Sequence, residues 1–363
     1  MRRTPAVTPA LIVGGGPAGA ATATLLARAG LPHLLLERTR ETGNALCGGF
    51  LSWRTLRSLE TLGIEATALN PDPTRRVRLF AGKRIVEAPL PRPAVSVSRH
   101  RLDTVMLARA IAAGAAVERG VAVRGVDGLV ARTADGATIA ADALFLASGK
   151  HDVRGLARPE EARGRDPTMG LRLRLGPAPG LTALVGDAVE LHLVDRGYAG
   201  LAIQEDGSAN LCMAIHLSRL TAAGSPERLL AALAVEAPAL ADRLAYAAPS
   251  PVIDAVANVP YGWRVRHGEA GLFRLGDQAG VIPSLAGEGM GIAIASGIAA
   301  ASAYRTGGAA SAAAWQRSFA RRIARPIGVA SLVRVLGEGR FAPVIGFAPR
   351  GLVDLVARTT RVG

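Results

Sequence analysis

The sequence predicts an α/β protein, α+β overall, with a parallel β-α-β unit at its N-terminus and an inserted antiparallel sheet. Helices follow at the C-terminus. Three observations support this. The N-terminus has a short apolar run that leads into the glycine-rich segment GGGPAG. Apolar and polar residues alternate from about Met169 onwards, which is the period of a β-strand. The last fifty residues are basic and favour helix, with breaks expected at Pro326, Pro343 and Pro349.

The composition of the 363 residues excludes several classes of protein. With 49% hydrophobic and 20% charged residues, the chain is too apolar to be disordered. Two cysteines, Cys47 and Cys212, rule out a disulfide scaffold and suit a reducing compartment. The formal charge is +14, but aromatic residues make up only 4%, which argues against nucleic-acid binding. No apolar run reaches about 18 residues, so we expect no transmembrane helix and a cytoplasmic location.

The first forty residues favour a β-α-β unit. Residues 10–13 form a short apolar strand, and an alanine-rich helix runs to about Ala29. A second strand at residues 34–36 ends in Glu37. The glycines between the first strand and the helix have the spacing G-x-G-x-x-G and are Gly14, Gly16 and Gly19.

This spacing has a mechanical basis. The first glycine permits a tight turn, the second lets the backbone approach a pyrophosphate, and the third lets helix and strand pack closely. The helix N-terminus offers free N–H groups to phosphates. Glu37 is placed to hold a ribose hydroxyl. The unit therefore predicts a Rossmann-like dinucleotide site. No second fingerprint of this kind follows, so a protein with two dinucleotide domains is disfavoured.

The remaining elements follow from periodicity and turn residues. A turn is expected at Asp206-Gly207 and a hairpin at Asp135-Gly136. Helices are predicted at 102–113, from Ser225-Pro226 and from Gly289. Strands are predicted at 121–123, 143–147, 171–175 (with Arg172 and Arg174 facing solvent), 189–194, 200–204, 209–216 and 272–275.

A second motif accompanies the first. The strand 272–275 runs directly into Gly276-Asp277, and Pro283 precedes the helix start at Gly289. Together with GGGPAG and Glu37-Arg38, this resembles the superfamily of FAD-dependent group A monooxygenases and geranylgeranyl reductases, which has the para-hydroxybenzoate hydroxylase fold. The resemblance covers most of the chain to about residue 310.

The resemblance implies one FAD and assigns residues to it. Asp277 would accept hydrogen bonds from the ribityl hydroxyls, and the helix from Gly289 would point its N-terminus at the pyrimidine edge of the flavin. Arg99 matches an arginine that reaches FAD, and no metal is expected. The implied cofactor-binding residues are Gly14, Gly16, Pro17, Ala18, Gly19, Glu37, Arg38, Cys47, Gly48, Arg99, Val123, Gly276, Asp277, Gly287, Gly289 and Met290.

The resemblance also implies a division into domains. A discontinuous FAD-binding domain, a substrate domain and a C-terminal helical segment are expected. The FAD-binding domain is expected to comprise residues 1–75, 96–165 and 255–315. The substrate domain is expected to comprise residues 76–95 and 166–254, and the C-terminal helical segment residues 316–363.

The chain departs from the hydroxylase pattern in the segment ASGKHDVRG. Ser148 stands where an aspartate is expected, and Arg154 comes one residue early. NAD(P)H is the expected electron donor, but this segment leaves its site open. Gly280 and Gly291 also replace the histidine and asparagine of many hydroxylases.

Two reactions remain open, beside an electron-transfer flavoprotein dehydrogenase-like role and a flavin-binding protein without enzymatic activity. The favoured one is hydroxylation of a phenolic, polyketide-like or lipidic secondary metabolite through a flavin C4a-hydroperoxide. The alternative is reduction or dehydrogenation of a prenyl, alkyl or carrier-bound chain, as in geranylgeranyl reductases. The catalytic candidates are Cys47, Tyr198 and His192, with His192 on the same strand face as Glu190 and Val194.

The expected partner is a hydrophobic or phenolic small molecule, free or attached to a carrier protein. The arginine-rich C-terminus, with apolar residues between its arginines, suggests either a packed helix pair or a lid that docks such a substrate or a membrane surface.

Overall fold

The computed structural model describes residues 6–338 and 350–362. The strands are β1 (Ala6–Val13), β2 (Leu34–Glu37), β3 (Phe50–Leu51), β4 (Pro73–Ala81), β5 (Arg84–Ser96), β6 (Ala116–Arg119), β7 (Val123–Asp127), β8 (Val130–Thr133), β9 (Thr138–Leu146), β10 (Thr168–Leu175), β11 (Ala188–Val194), β12 (Gly197–Ile203), β13 (Ala209–His216), β14 (Ile253–Val259) and β15 (Leu272–Arg274). The helices are α1 (Pro17–Arg28), α2 (Trp53–Thr61), α3 (Ala66–Leu69), α4 (Arg99–Ala112), α5 (Pro179–Val185), α6 (Leu217–Ala223), α7 (Pro226–Glu236), α8 (Pro238–Leu244), α9 (Gly289–Gly307), α10 (Ala312–Glu338) and α11 (Arg350–Thr359).

The first sheet holds the N-terminal β-α-β unit. Strands β6, β2, β1, β9 and β15 are parallel, while β7 and β8 form an antiparallel extension along β9. The carboxyl ends of β1, β2, β9 and β15 therefore meet at one edge, the usual ligand-binding edge of such a sheet. Helices α1 and α9 cross closely at Gly297. The close approach needs glycine there, because any side chain would overlap the carbonyl oxygen of Ala18.

The second sheet has the order β14-β10-β13-β12-β11-β4-β5-β3, and only the β11–β4 pair is parallel among its described pairs. Its back face packs on α5, α7 and α8 through a cluster that includes Leu171, Leu201, Leu229 and Leu240. Its front face is turned toward the carboxyl edge of the first sheet. The mixed α/β architecture predicted from the sequence is confirmed, whereas the domain boundaries stay a prediction.

Two local expectations were wrong. Residues 121–122 lie between β6 and β7 and belong to neither strand. On β10, Arg172 is buried and not solvated, since its guanidinium binds Asp254 at 2.5 Å and the carbonyl oxygen of Ala45 at 3.0 Å. A charged side chain was compatible with the strand because a partner on β14 neutralises it.

The C-terminal helices also differ from expectation. Helix α10 continues through Pro326, although proline removes one backbone hydrogen bond and usually kinks a helix. Pro326 is buried, and Ile323, Ile327 and Ala330 around it belong to the main core cluster, so tertiary packing outweighs the lost bond. Pro343 and Pro349 lie outside the described residues. None of the described helices is both long and apolar enough to span a bilayer.

Candidate functional site

A large cavity is lined by residues of both sheets. Its volume is about 1410 Å³, compared with about 300–1,000 Å³ for a pocket that takes one small ligand. The carboxyl edge of the first sheet and the front face of the second form its walls, and α10 and α11 contribute Val333, Leu336 and Val356. The cavity has room for a dinucleotide and a second molecule.

The structure brings most of the predicted site residues into this one cavity. Those that line it are Gly14, Gly16, Pro17, Ala18, Glu37, Arg38, Cys47, Gly48, Arg99, Val123, Tyr198, Gly276, Asp277, Gly287, Gly289 and Met290. Gly19 and His192 do not line it. The role of each residue toward a cofactor stays a prediction.

The glycine loop has the geometry that its spacing suggested. Gly14 has φ +108°, and a Cβ there would lie 2.5 Å from the carbonyl oxygen of Ala147. Gly19 lies beneath the loop, where a side chain would overlap the carbonyl oxygen of Gly14. Gly16 caps α1 without any side-chain hydrogen bond, so the first N–H groups of the helix stay available. These features form an anion-binding cradle.

Acidic and basic side chains flank this cradle. Glu37 accepts hydrogen bonds from the Gly15 N–H at 2.7 Å and the Thr39 N–H at 2.9 Å, which leaves lone pairs for a ribose hydroxyl. Arg38 contacts the His151 ring at 2.8 Å. Val123 begins β7, at the same end of the cavity.

Arg99 begins α4 and lies beside Gly16. Its guanidinium forms a two-point ion pair with Asp103, at 2.7 and 2.9 Å. A Cβ on Gly16 would lie 3.5 Å from its Nη2, so this cation stands directly over the glycine loop. Burial opposes the charge, but the Asp103 ion pair outweighs it and raises the pKa of Arg99. Arg99 remains charged where a pyrophosphate would bind.

Asp277 follows β15 at the carboxyl edge. Its Oδ2 lies 3.5 Å from Nζ of Lys150, which follows the neighbouring strand β9. The interaction with Asp277 raises the pKa of Lys150, although burial opposes the charge. Lys150 and Lys83 are the two lysines of the chain, and sequence reasoning did not assign Lys150 to the site. Its position in ASGKHDVRG, directly after a strand, was the available signal.

The N-terminus of α9 forms another part of the cavity wall. Gly287, with φ +64°, Gly289 and Met290 line the cavity. Glu288 between them is fully buried and accepts hydrogen bonds from Ser52 at 3.0 Å and Arg361 at 2.9 Å. No side chain in the described part of the chain caps the helix, so its first N–H groups remain available to a ligand.

Three hydroxyl groups meet near this loop. The Tyr198 hydroxyl lies 2.5 Å from Oγ of Ser284, which lies 2.8 Å from the Tyr261 hydroxyl, and the Leu285 N–H donates to Tyr198 at 3.0 Å. Burial raises the pKa of Tyr198 well above its usual 10 and that of Tyr261 to about 12. Both tyrosines therefore stay protonated at neutral pH and can donate to a ligand oxygen.

Both cysteines of the chain also line the cavity. The Cys47 carbonyl oxygen accepts a hydrogen bond from Asn210 at 2.9 Å, which ties the Cys47 loop to β13, the strand that carries Cys212. Burial raises the pKa of Cys212 to about 12, so it stays a thiol. Cys212 was not identified from the sequence as a site residue.

The structure does not bring His192 into the cavity. It shares the back face of β11 with Glu190 and Val194, as the strand period indicated, whereas the front-face residues Val189 and Leu191 line the cavity. His192 stacks on Phe80 with ring centroids 4.2 Å apart and bonds the Glu190 carboxylate at 3.3 Å. His192 is fully buried, and these contacts support the sheet, so its catalytic role stays a prediction that the structure does not favour.

The site fits FAD on the observations above. A glycine cradle with an uncapped helix N-terminus and Arg99 suits the pyrophosphate, and Asp277 suits sugar-alcohol hydroxyls. No group of three or more potential metal ligands occurs among the described residues.

Comparison with known proteins decides the cofactor. The sequence family described as "FAD binding domain" matches residues 7–155. This part of the chain is an FAD-binding domain. No curated protein sequence matches the chain. The flavoprotein fold extends well beyond the matched residues, as solved structures show.

The flavoprotein is similar to three solved structures. A geranylgeranyl bacteriochlorophyll reductase-like protein from Thermoplasma acidophilum is 20% identical, with 99% of this chain and 94% of that chain covered and a TM-score of 0.74. A flavoprotein/dehydrogenase from Cytophaga hutchinsonii is 16% identical, with 97% and 93% covered and a TM-score of 0.77. PqsL from P. aeruginosa, in complex with 2-aminobenzoylacetate, is 17% identical, with 94% and 99% covered and a TM-score of 0.72.

These likenesses show the fold. They extend over nearly the whole chain, so the para-hydroxybenzoate hydroxylase fold expected from the two end motifs is confirmed. At such low identity they do not decide the reaction.

Proposed function

We propose that this flavoprotein is an FAD-dependent monooxygenase that hydroxylates a phenolic ring bearing an aliphatic substituent. The observation that carries the proposal is the hydroxyl group set Tyr198–Ser284–Tyr261 at one end of a mainly aliphatic cavity. Bound FAD would supply the two-electron and oxygen chemistry. The protein's own residues would bind and orient the substrate and handle its phenolic proton.

The hydroxyl set has the geometry to manage a phenolic proton. Tyr198 is 2% exposed and Ser284, the middle group of the three, is exposed, and all three line the cavity, so a phenol bound there can contact this run of hydroxyls. A phenol that donates to this run can pass its proton along it, and the electron-rich phenolate is the better substrate for hydroxylation.

The rest of the substrate wall is apolar. Val77 and Leu79 of β4 and Val189, Leu191 and Leu193 of β11 face the cavity beside Leu336 of α10. Such a wall offers aliphatic groups a dry surface worth about 0.8 kcal/mol per buried CH₂. It favours a lipidic or polyketide-like molecule, free or carrier-bound. Because a lipidic substrate would be dissolved in a membrane, contact of the protein with a membrane is also part of the proposal.

NAD(P)H is the electron donor in this proposal. Since Ser148 replaces the expected aspartate, the donor needs its own test: the rate of flavin reduction by NADH and by NADPH, each with and without substrate. A rate below the turnover rate with both would require a different donor.

The proposal is tested with 4-hexylphenol as the probe. We expect substrate-dependent oxygen uptake and incorporation of one ¹⁸O atom from ¹⁸O₂ into the product, measured by mass spectrometry. Tyr198→Phe should lower the turnover rate, and most strongly at low pH, while FAD stays bound. Uptake of ¹⁸O from water, or product formation without oxygen, would contradict the monooxygenase.

The second candidate is a reductase of an alkyl or prenyl chain. It is favoured by the cavity position of Cys47, a thiol that can deliver a proton beside the apolar wall. Under strict anaerobiosis and with NADH or NADPH supplied to reduce the flavin, a reductase would saturate a long-chain alkene at full rate, the alkene taking a hydride from the flavin and a proton from Cys47, and Cys47→Ala would slow this step. The same assay pair therefore separates the two reactions.

A further inference from the structure

Arg361 is a buried cation in the cavity wall, two residues before the end of the chain. It is 8% exposed, and its Nη1 donates to the Ala286 carbonyl oxygen at 2.7 Å and to Glu288 at 2.9 Å. The guanidinium carbon lies 5.1 Å from the ring centroid of Trp53 and 5.7 Å from that of Phe50. These aromatic faces and the two acceptors fix its position.

The surroundings of Arg361 join the end of the chain to the start of α9. Glu288 directly precedes the first residue of α9 and also accepts a hydrogen bond from the Val362 N–H at 3.1 Å. Arg361 and Glu288 are 73 residues apart in sequence. Arg361 and the N-terminus of α9 therefore lie side by side in one wall of the cavity.

One donor of this cation has no partner in the part of the chain that the structure describes. The Nε–H of Arg361 is buried and makes no hydrogen bond to the described protein. A buried donor without a partner costs about 1–3 kcal/mol, so native proteins rarely leave one unsatisfied. Arg361 lines the cavity at the point where the N-terminus of α9 also presents positive potential. The Nε–H itself has no accessible surface in the cavity, but the guanidinium and the helix N-terminus together place positive charge on this part of the wall, which suits a ligand that carries negative charge there.

We propose that Arg361 is a cofactor-binding residue that places positive charge at the flavin ring system, beside the N-terminus of α9. In this role it stabilises the negative charge of the reduced flavin. Glu288 sets the strength of the effect, since its carboxylate partly neutralises the guanidinium. The inference rests on the FAD site of the proposed function and is independent of which reaction follows.

The test measures the flavin reduction potential in three purified, FAD-loaded variants, by equilibration with a reference dye and without substrate. Arg361→Met removes the cation. Glu288→Gln removes the opposing charge and keeps one acceptor oxygen, which can serve Arg361 and Ser52 because both donate to the same oxygen, Oε2, while the Val362 N–H on Oε1 loses its acceptor. Arg358→Met is the control, since Arg358 lies on the neighbouring α11 in a surface pair with Asp354 and has a side chain that is 59% exposed.

The two buried variants should shift the potential in opposite directions. At a fixed solution potential, the ratio of reduced to oxidised flavin should fall about tenfold in Arg361→Met and rise in Glu288→Gln, since one charge is removed from a poorly screened site. Arg358→Met should leave the ratio unchanged.

A purely structural role gives a different result. If both buried variants shift the ratio in the same direction, or neither shifts it, the proposal is wrong. If Arg361→Met does not retain FAD, Arg361→Lys decides: retention of FAD and of the native potential supports the charge, while loss of both contradicts it. A failed hydroxylation assay would leave these outcomes intact, since no substrate is used.

Discussion

Replacement of Asp277 should weaken FAD binding by removing hydrogen bonds to the ribityl chain, and it should leave the contacts of the ADP half of FAD unchanged. The carboxylate is 3.5 Å from Lys150, and its side chain is only 19% exposed. Because this contact is longer than a tight hydrogen bond, the carboxylate oxygens remain free to accept from hydroxyl groups. Each charge-assisted hydrogen bond is worth about 1.5–3 kcal/mol, so Asp277→Ala should raise the Kd for FAD about tenfold to a hundredfold for one such bond.

The assay is a titration of the FAD-free protein, in which FAD and riboflavin binding is followed by the quenching of flavin fluorescence and ADP binding by calorimetry. Riboflavin contains the ribityl chain and ADP does not, so Asp277→Ala should weaken riboflavin and FAD alike and leave ADP binding unchanged. His192→Ala is the matched control, because His192 lies on the back face of the second sheet. Unchanged FAD affinity in Asp277→Ala, or an equal loss of ADP affinity, would refute the assignment of Asp277 to the ribityl hydroxyls.

Two further predictions concern the cradle and the support of the substrate sheet. Gly19→Ala should abolish FAD binding, measured by calorimetry, since its Cβ would overlap the Gly14 carbonyl; Gly328→Ala, at an open position of α10 with ordinary helical φ, is its control. Burial opposes ionisation of Glu190, but hydrogen bonds from His192 and Arg243 lower its pKa from 4.5 to about 2. Its stabilisation is therefore complete above pH 4.5 and is lost as pH falls toward 2. Urea denaturation should show a cost of about 3–5 kcal/mol for Glu190→Ala at pH 7, which shrinks in acid; a cost independent of pH would contradict this.

The dinucleotide half of the site could be predicted because its signals are local. Gly14, Gly19 and Glu37 belong to one β-α-β unit, in which strand ends and helix start fix their relative positions within forty residues. Asp277 could be added because it also follows a strand, and parallel strands end at a common edge.

The contribution of the C-terminus could not be predicted in this way. Arg361 meets Glu288 at a sequence separation of 73 residues, and no periodicity relates the two. The arginine-rich composition near the C-terminus made Arg361 one of many equivalent cations. What distinguishes it is burial between Phe50 and Trp53, a property of tertiary packing.

The orientation of strands β11 and β12 toward the cavity could not be predicted from the sequence. On β11 and β12, Leu193 pairs with Tyr198 and His192 pairs with Ala199. Alternation along a strand groups His192 with Glu190 correctly, but it does not say which of the two groups faces the flavin. The orientation is decided by Glu190, since its carboxylate needs Arg78 and Arg243, and Arg243 lies on α8 behind the sheet. Once that buried ion pair fixes the back face, Tyr198 must face the cavity and His192 cannot.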